Sequence, residues 1–112
     1  MKRGDIYFAV LDPGVGKEVR KKRPVAIVSN DDSNEEFAYV TVVPLTSNVS
    51  KVHRFEVKVS AKRSGLPKDS KALPQHIRTI SKQRLVGPRA GAITADDSAA
   101  LDTAIKLHLD LG

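Results

Sequence analysis

The side chains able to do chemistry in this sequence are few and of restricted type. Cysteine is absent, which removes thiolate nucleophiles, Cys-based zinc sites and redox dithiols, and fits a reducing compartment. The three histidines, His53, His76 and His108, are widely separated. None forms a His-x-x-His or His-Glu-x-x-His pair and no carboxylate recurs at ligand spacing around them, so no metal site is expected. His53 and His76 are either an imidazole pair for general acid–base work on RNA or ordinary surface histidines of a basic protein. Gly14-Val-Gly16 lacks the following Gly-Lys-Ser/Thr and precedes no helix, so it reads as a loop and not as a phosphate cradle. Lys17, Arg20, Lys21, Lys22 and Arg23 are more informative, being five cations within seven residues. The run ends in Arg23-Pro24 at the entrance to an apolar stretch, where the last guanidinium would be held while the preceding cations stay solvated.

The elements that must position these groups are mostly strands. Ile6 to Leu11 is a continuous apolar and aromatic run stopped by Asp12-Pro-Gly14, the pattern of a strand buried on both faces. A loop over 14–22 leads to a second strand, Pro24 to Val28, ended by the polar cluster Ser29 to Glu36. Phe37 to Leu45 is a third, with Pro44 marking an edge or a bulge. Arg54 to Val59 alternates, with Phe55, Val57 and Val59 expected inward and Glu56 and Lys58 outward. After a turn region at 64–69, Ala72-Leu73 and Ile77 to Ile80 form a strand pair or one bent strand. Ser81 is placed to cap a short turn through Leu85, and Gly87 to Ile93 is weakly extended. Only the C-terminus looks helical over several turns. Thr94-Ala-Asp-Asp97 fits an N-terminal capping box with Asp in place of Glu, and Leu101, Ala104, Ile105, His108 and Leu109 make one apolar stripe on which His108 is expected to pack. The reading is a mainly β (α+β) fold, a small twisted sheet or barrel of five to seven strands closed by one helix.

Composition limits the function classes. At 112 residues the chain is one domain's worth, able to bury roughly two-thirds of its unfolded surface without metal or disulfide staples. No apolar run approaches the roughly 18 residues of a membrane span. Lys2-Arg3 is followed at once by Asp5 and a short apolar run without a cleavage site, so a cytoplasmic protein is expected. The net charge is +6, unevenly spread: residues 1–90 hold 18 basic and 9 acidic side chains, whereas 91–112 hold Lys106 against four aspartates. An excess of that kind points to a polyanionic partner.

Five segments, in order, carry a likeness: Arg3-Gly-Asp-Ile-Tyr7, Gly16-Lys-Glu18, Arg23-Pro-Val-Ala-Ile-Val-Ser-Asn30, Val42-Val-Pro-Leu-Thr-Ser-Asn48, and Ile77-Arg-Thr-Ile80 with Gln83-Arg-Leu85. The chain resembles the MazF/PemK (Kid) toxins, ribosome-independent mRNA interferases of prokaryotic toxin–antitoxin modules. The resemblance implies one domain over 1–112, an SH3-like barrel of the CcdB/PemK type with a C-terminal helix, a homodimer, and cleavage of single-stranded RNA without metal or other cofactor. It also implies neutralisation by a cognate acidic antitoxin, expected to fold over the basic loop 14–22.

By the same resemblance Arg23 matches the catalytic arginine and Thr46 the catalytic threonine, with Glu18 and Ser47 supporting them. RNA brings its own nucleophile, the 2′-hydroxyl, so the protein has to stabilise charge on phosphorus and manage protons. A guanidinium fork and a threonine hydroxyl suit the first task. Arg20, Lys21, Lys22, Lys51, His53, Arg54, Gln75, His76 and Arg78 are the expected RNA-binding residues. Glu18 is followed here by Val-Arg-Lys-Lys where many members have Gln-Gly/Ala-Gly-type residues, which predicts tighter, more salt-sensitive binding. Gln75-His76 stands where many have Glu-Gln, so cleavage specificity should differ, and the strand-one Trp of the family is replaced by Phe8 or Tyr7. Two other readings compete. A CcdB-like gyrase poison would need a Trp-Gly-Ile end, but the sequence ends Leu109-Asp-Leu-Gly112 and has no Trp. A basic RNA-binding module would protect RNA without cutting it.

Overall fold

The computed structural model describes residues 1–11 and 22–112; the expected loop 14–22 falls almost wholly outside them, with Glu18, Arg20 and Lys21. Among the described residues seven strands follow in order: β1 (Asp5–Val10), β2 (Lys22–Ile27), β3 (Tyr39–Thr46), β4 (Val57–Val59), β5 (Ser70–Ala72), β6 (Arg78–Ser81) and β7 (Leu85–Ala92). Three helices accompany them: α1 (Asp31–Glu36), α2 (Ala61–Ser64) and α3 (Ala95–His108). All pairings are antiparallel. The strand order is β4-β5-β3-β2-β1-β7, with β6 also paired to β3. This is the expected mainly β, α+β class.

Strand β3 is the hub. It takes β2 through Val25↔Pro44 to Ile27↔Val42, β6 through Tyr39↔Ser81 to Val42↔Arg78, and β5 through Leu45↔Ala72 and Thr46↔Lys71. Pro44 was expected at an edge or bulge; it is buried in this central strand, where the β6 partner gives way to β5. A residue without an N–H fits that seam because no ladder bond there has to come from it.

Both faces of the sheet are covered. Because side chains alternate along a strand, Ile6, Ala26, Val43 and Leu45 join Val59, Leu66, Ala72 and Leu101 in one core. Ala9, Leu11, Val25, Ile27, Val40, Val42 and Ile80 form the other. The first is closed by α3, whose start is capped as the sequence predicts: Thr94 Oγ1 accepts the Asp97 N–H at 3.2 Å. Ser81 likewise caps a 3₁₀ turn, Lys82–Arg84, by accepting the Gln83 N–H at 3.2 Å.

Several expectations need correction. Ser29 to Glu36 is not simply a polar strand end: Asn30 Oδ1 accepts the Ser33 N–H at 2.8 Å and starts α1. Strand β3 accordingly begins at Tyr39 and not at Phe37. The turn region at 64–69 is preceded by a four-residue helix, α2, capped by Ser60 and ended by Gly65 at φ 85°. In the segment 54–59, Val57 and Val59 pack inward and Lys58 is exposed as expected, but only Val57–Val59 is strand and the preceding pair is reversed, with Phe55 exposed and Glu56 turned inward. Of the two alternatives for Ala72 to Ile80, two strands are present, β5 and β6, each paired to β3 and not to the other, with a 3₁₀ turn, Pro74–His76, between them. His108 and Leu109 are exposed, so the apolar stripe of α3 ends at Ile105.

Candidate active site

Alternation along the strands builds the site. On β2 the face of Ile27 and Val25 continues to Arg23, on β3 the face of Val40 and Val42 continues through Pro44 to Thr46, and on β6 that of Ile80 continues to Arg78. The core beneath therefore gives way at the strand ends to polar and cationic side chains. The β2–β3 ladder closes at Val25↔Pro44, and just beyond it Arg23 and Thr46 line one cavity. Two residues 23 positions apart in the chain thus come to line the same cavity, which no local sequence pattern announces.

Two cavities meet at Arg23. The first, about 360 Å³, is lined by Phe8, Lys22, Arg23 and Pro24, by Leu45, Thr46 and Ser47, and by a third wall of Leu66, Pro67, Lys68 and Ser70. The second, about 400 Å³, has Leu11, Arg23, Pro44, Leu45, Leu73, His76 and Arg78 around it. Arg23, Thr46, Ser47 and Lys22 are thus brought together as expected, and His76 and Arg78 share the adjoining space. Arg23 is exposed and Thr46 half-buried. The Thr46 hydroxyl oxygen accepts the Asn48 N–H at 3.2 Å, which leaves its own proton free to donate to an incoming anion.

Lys51, His53 and Arg54 are exposed and line neither cavity. They ride on a loop whose anchor the sequence reading missed. Glu56 accepts from the His53 N–H at 2.9 Å, the Lys71 ammonium at 2.9 Å and the Gln75 amide at 2.7 Å. Burial works against ionising this carboxyl, whose side chain is 5% exposed, but the hydrogen bonds from Lys71, His53 and Gln75 and the charge of Lys71 outweigh it and hold the pKa down at about 2. Lys71 also donates to the Lys51 carbonyl at 2.6 Å, and Lys71 is the β5 partner of Thr46. One ion pair therefore ties the 47–56 loop to the strand beside Thr46, and Gln75, expected on RNA, is committed to it. Arg54 stacks on the Phe55 ring at 4.5 Å, giving an exposed planar platform of the kind that accepts a base. The sequence reading also missed Leu66, Pro67, Lys68 and Ser70, which reach the first cavity from a distant segment.

The model of a PemK-like, MazF-like toxin of type II toxin–antitoxin systems matches residues 2–109. The chain belongs to the PemK/MazF toxin family. Among PemK/MazF relatives, endoribonuclease MazF9 of Mycobacterium tuberculosis is 45% identical over 116 residues, covering 99% of this chain and 98% of that protein. Endoribonuclease EndoA of Bacillus subtilis is 43% identical over 86 residues, covering 76% and 74%. A mycobacterial endoribonuclease solved in complex with its cognate antitoxin is 27% identical and superposes with a TM-score of 0.79, over 100% of this chain and 97% of that one. The five segments noted in the sequence thus fall within a PemK/MazF domain. No helix among the described residues is long and apolar enough to cross a membrane.

Proposed function

We propose that this chain is the toxin of a toxin–antitoxin module and acts in the cytoplasm as a sequence-specific, metal-independent endoribonuclease on single-stranded RNA. The observation that carries the reading is that Arg23 and Thr46, from the adjoining ends of β2 and β3, line one cavity with cationic and hydroxyl-bearing walls, in a chain so similar to named endoribonucleases. In the reaction, the 2′-hydroxyl loses its proton and attacks the adjacent phosphorus. The bond to the 5′-oxygen breaks and that oxygen takes up a proton, leaving a 2′,3′-cyclic phosphate and a 5′-hydroxyl. Arg23 stabilises the charge on the phosphoryl oxygens. Thr46 donates its free proton to the same group and fixes its position. His76, beside Arg23 and Arg78 in the second cavity, is placed to contact a base or assist proton transfer, and the Arg54–Phe55 platform offers a stacking surface outside the cavity. Glu18, Arg20 and Lys21 belong to the same proposal on the strength of the resemblance alone.

The reading includes a homodimer and a cognate acidic antitoxin. Leu107, Leu109 and Leu111 are all exposed at the end of the chain, more apolar surface than a helix packed on one face requires. An acidic peptide laid across Lys22, Arg23 and Lys68 would occupy the place of the phosphates.

Arg23→Ala and Thr46→Ala should each leave the fold intact by circular dichroism and lower cutting of a long RNA by at least about a hundredfold, the usual cost of removing a transition-state donor. The assay is run in EDTA, with the 5′ ends sequenced. Undiminished cutting by both variants contradicts the assignment.

A further inference from the structure

The third wall of the first cavity comes from the segment between α2 and β5, and it is held with more care than a surface loop needs. Leu66 is 5% exposed and sits in the core with Leu101, and its N–H is accepted by the Ser64 hydroxyl at 3.2 Å. Asp69 Oδ1 accepts the Ala61 N–H at 2.8 Å and closes the segment into a loop. The Ser70 hydroxyl donates to the Lys68 carbonyl at 3.4 Å. Arg63 pairs with Asp97 of α3 at 3.5 Å. On the other side the backbone at Ser64 lies so near Gly91 of β7 that a Cβ there would overlap the Ser64 carbonyl oxygen. The only long charged side chain this wall presents to the cavity is that of Lys68.

We propose that Lys68 is a phosphate-binding residue of the RNA site, holding a phosphodiester next to the scissile one and so setting where the strand lies against Arg23 and Thr46. Arg23 and Lys22 enter the cavity from the end of β2, and Lys68 enters from the α2–β5 wall. A polyanion in this space meets cations from both segments, and successive phosphates of one strand can be shared between them. The wall fixes the Lys68 backbone, and the ammonium at the end of its flexible stem acts as a point charge on a phosphate. Its contribution belongs to binding of substrate and transition state alike, so it should appear in KM and leave kcat nearly untouched. The inference rests on the ribonuclease reading for its substrate, but binding tests it separately from cutting.

The decisive measurement is the affinity of the full chain for a fluorescent, mixed-sequence 2′-O-methyl oligoribonucleotide, which cannot be cut, as a function of salt. Lys68→Ala should weaken binding about tenfold at low salt and reduce the log–log salt slope by about 0.7, one single-strand contact. Lys68→Arg should restore both, and Lys106→Ala, a change on α3 away from either cavity, should alter neither. On cleavable RNA, Lys68→Ala should raise KM with kcat within about twofold. An unchanged salt slope in Lys68→Ala, or a loss that Lys68→Arg fails to restore, overturns the proposal. If wild type binds the oligonucleotide with this Lys68 dependence yet cuts no RNA, the ribonuclease reading fails and the binding residue stands.

Discussion

At the scale of single residues, the site divides into groups that the sequence announces and groups that only the fold creates. Arg23 was legible because a cationic run ends there before Pro24, and Thr46 because Val-Pro-Leu-Thr repeats a family segment. The sequence places Glu56 outward on a strand, since its neighbours Phe55 and Val57 suggest alternation and nothing local points to Lys71, 15 residues on. Its ion pair bends the chain so that Phe55, and not Glu56, meets solvent. The carboxyl's pKa falls from an ordinary 4.5 to about 2 in the folded chain. A depressed pKa means the folded state holds the proton less tightly than the unfolded state, so Glu56 stabilises the fold fully above about pH 5 and loses that contribution as pH falls through 4.5 towards 2. Glu56→Gln should therefore lower unfolding stability by about 1–3 kcal/mol at neutral pH, and the gap to wild type should close towards pH 2. Urea unfolding at a series of pH values measures this; a gap independent of pH would show that the charge of Glu56 is not what matters.

At the scale of elements, signals that depend on a few adjacent residues were readable. Thr94 and Ser81 cap as the sequence suggests because a cap is a bond between a side chain and its own backbone a few residues away. The short helices were not readable although Asn30 and Ser60 cap them, because six residues of α1 and four of α2 carry no apolar period to mark a helix after the cap. The third wall was invisible because it is positioned by β7 and α3 from far along the chain. Its dependence on Gly91 is testable. Gly91→Ala must push α2 and the following loop away from β7, which should cost about 1–3 kcal/mol and weaken RNA binding by displacing Lys68. Thermal unfolding together with the oligonucleotide titration checks both effects, and a variant with wild-type melting would mean that the two backbones separate freely.

At the scale of the whole molecule, charge and cavity are aligned. Lys22, Arg23, Lys68 and Arg78 line the two cavities, while α3, with Asp96, Asp97 and Asp102 against Lys106, gives neither cavity a side chain. The net +6 read from composition thus understates the field an RNA strand meets at the site. The exposed leucines 107, 109 and 111 lie outside this arrangement and are the candidate contact between copies. Sedimentation equilibrium at micromolar concentration should give twice the mass of one chain, and Leu107→Asp with Leu111→Asp should shift it towards the monomer; a wild-type monomer contradicts the dimer.

The seat of the third wall on Gly91 has a consequence for synthesis. The strands bearing Arg23 and Thr46 leave the ribosome early, but β1 gains its β7 partner, and residues 64–68 their support, only after Gly91 has been translated. A nascent chain ending before that residue holds the cationic groups without the enclosure that aligns them. Enclosure of the cationic groups therefore waits on Gly91, however early the strands bearing Arg23 and Thr46 are made.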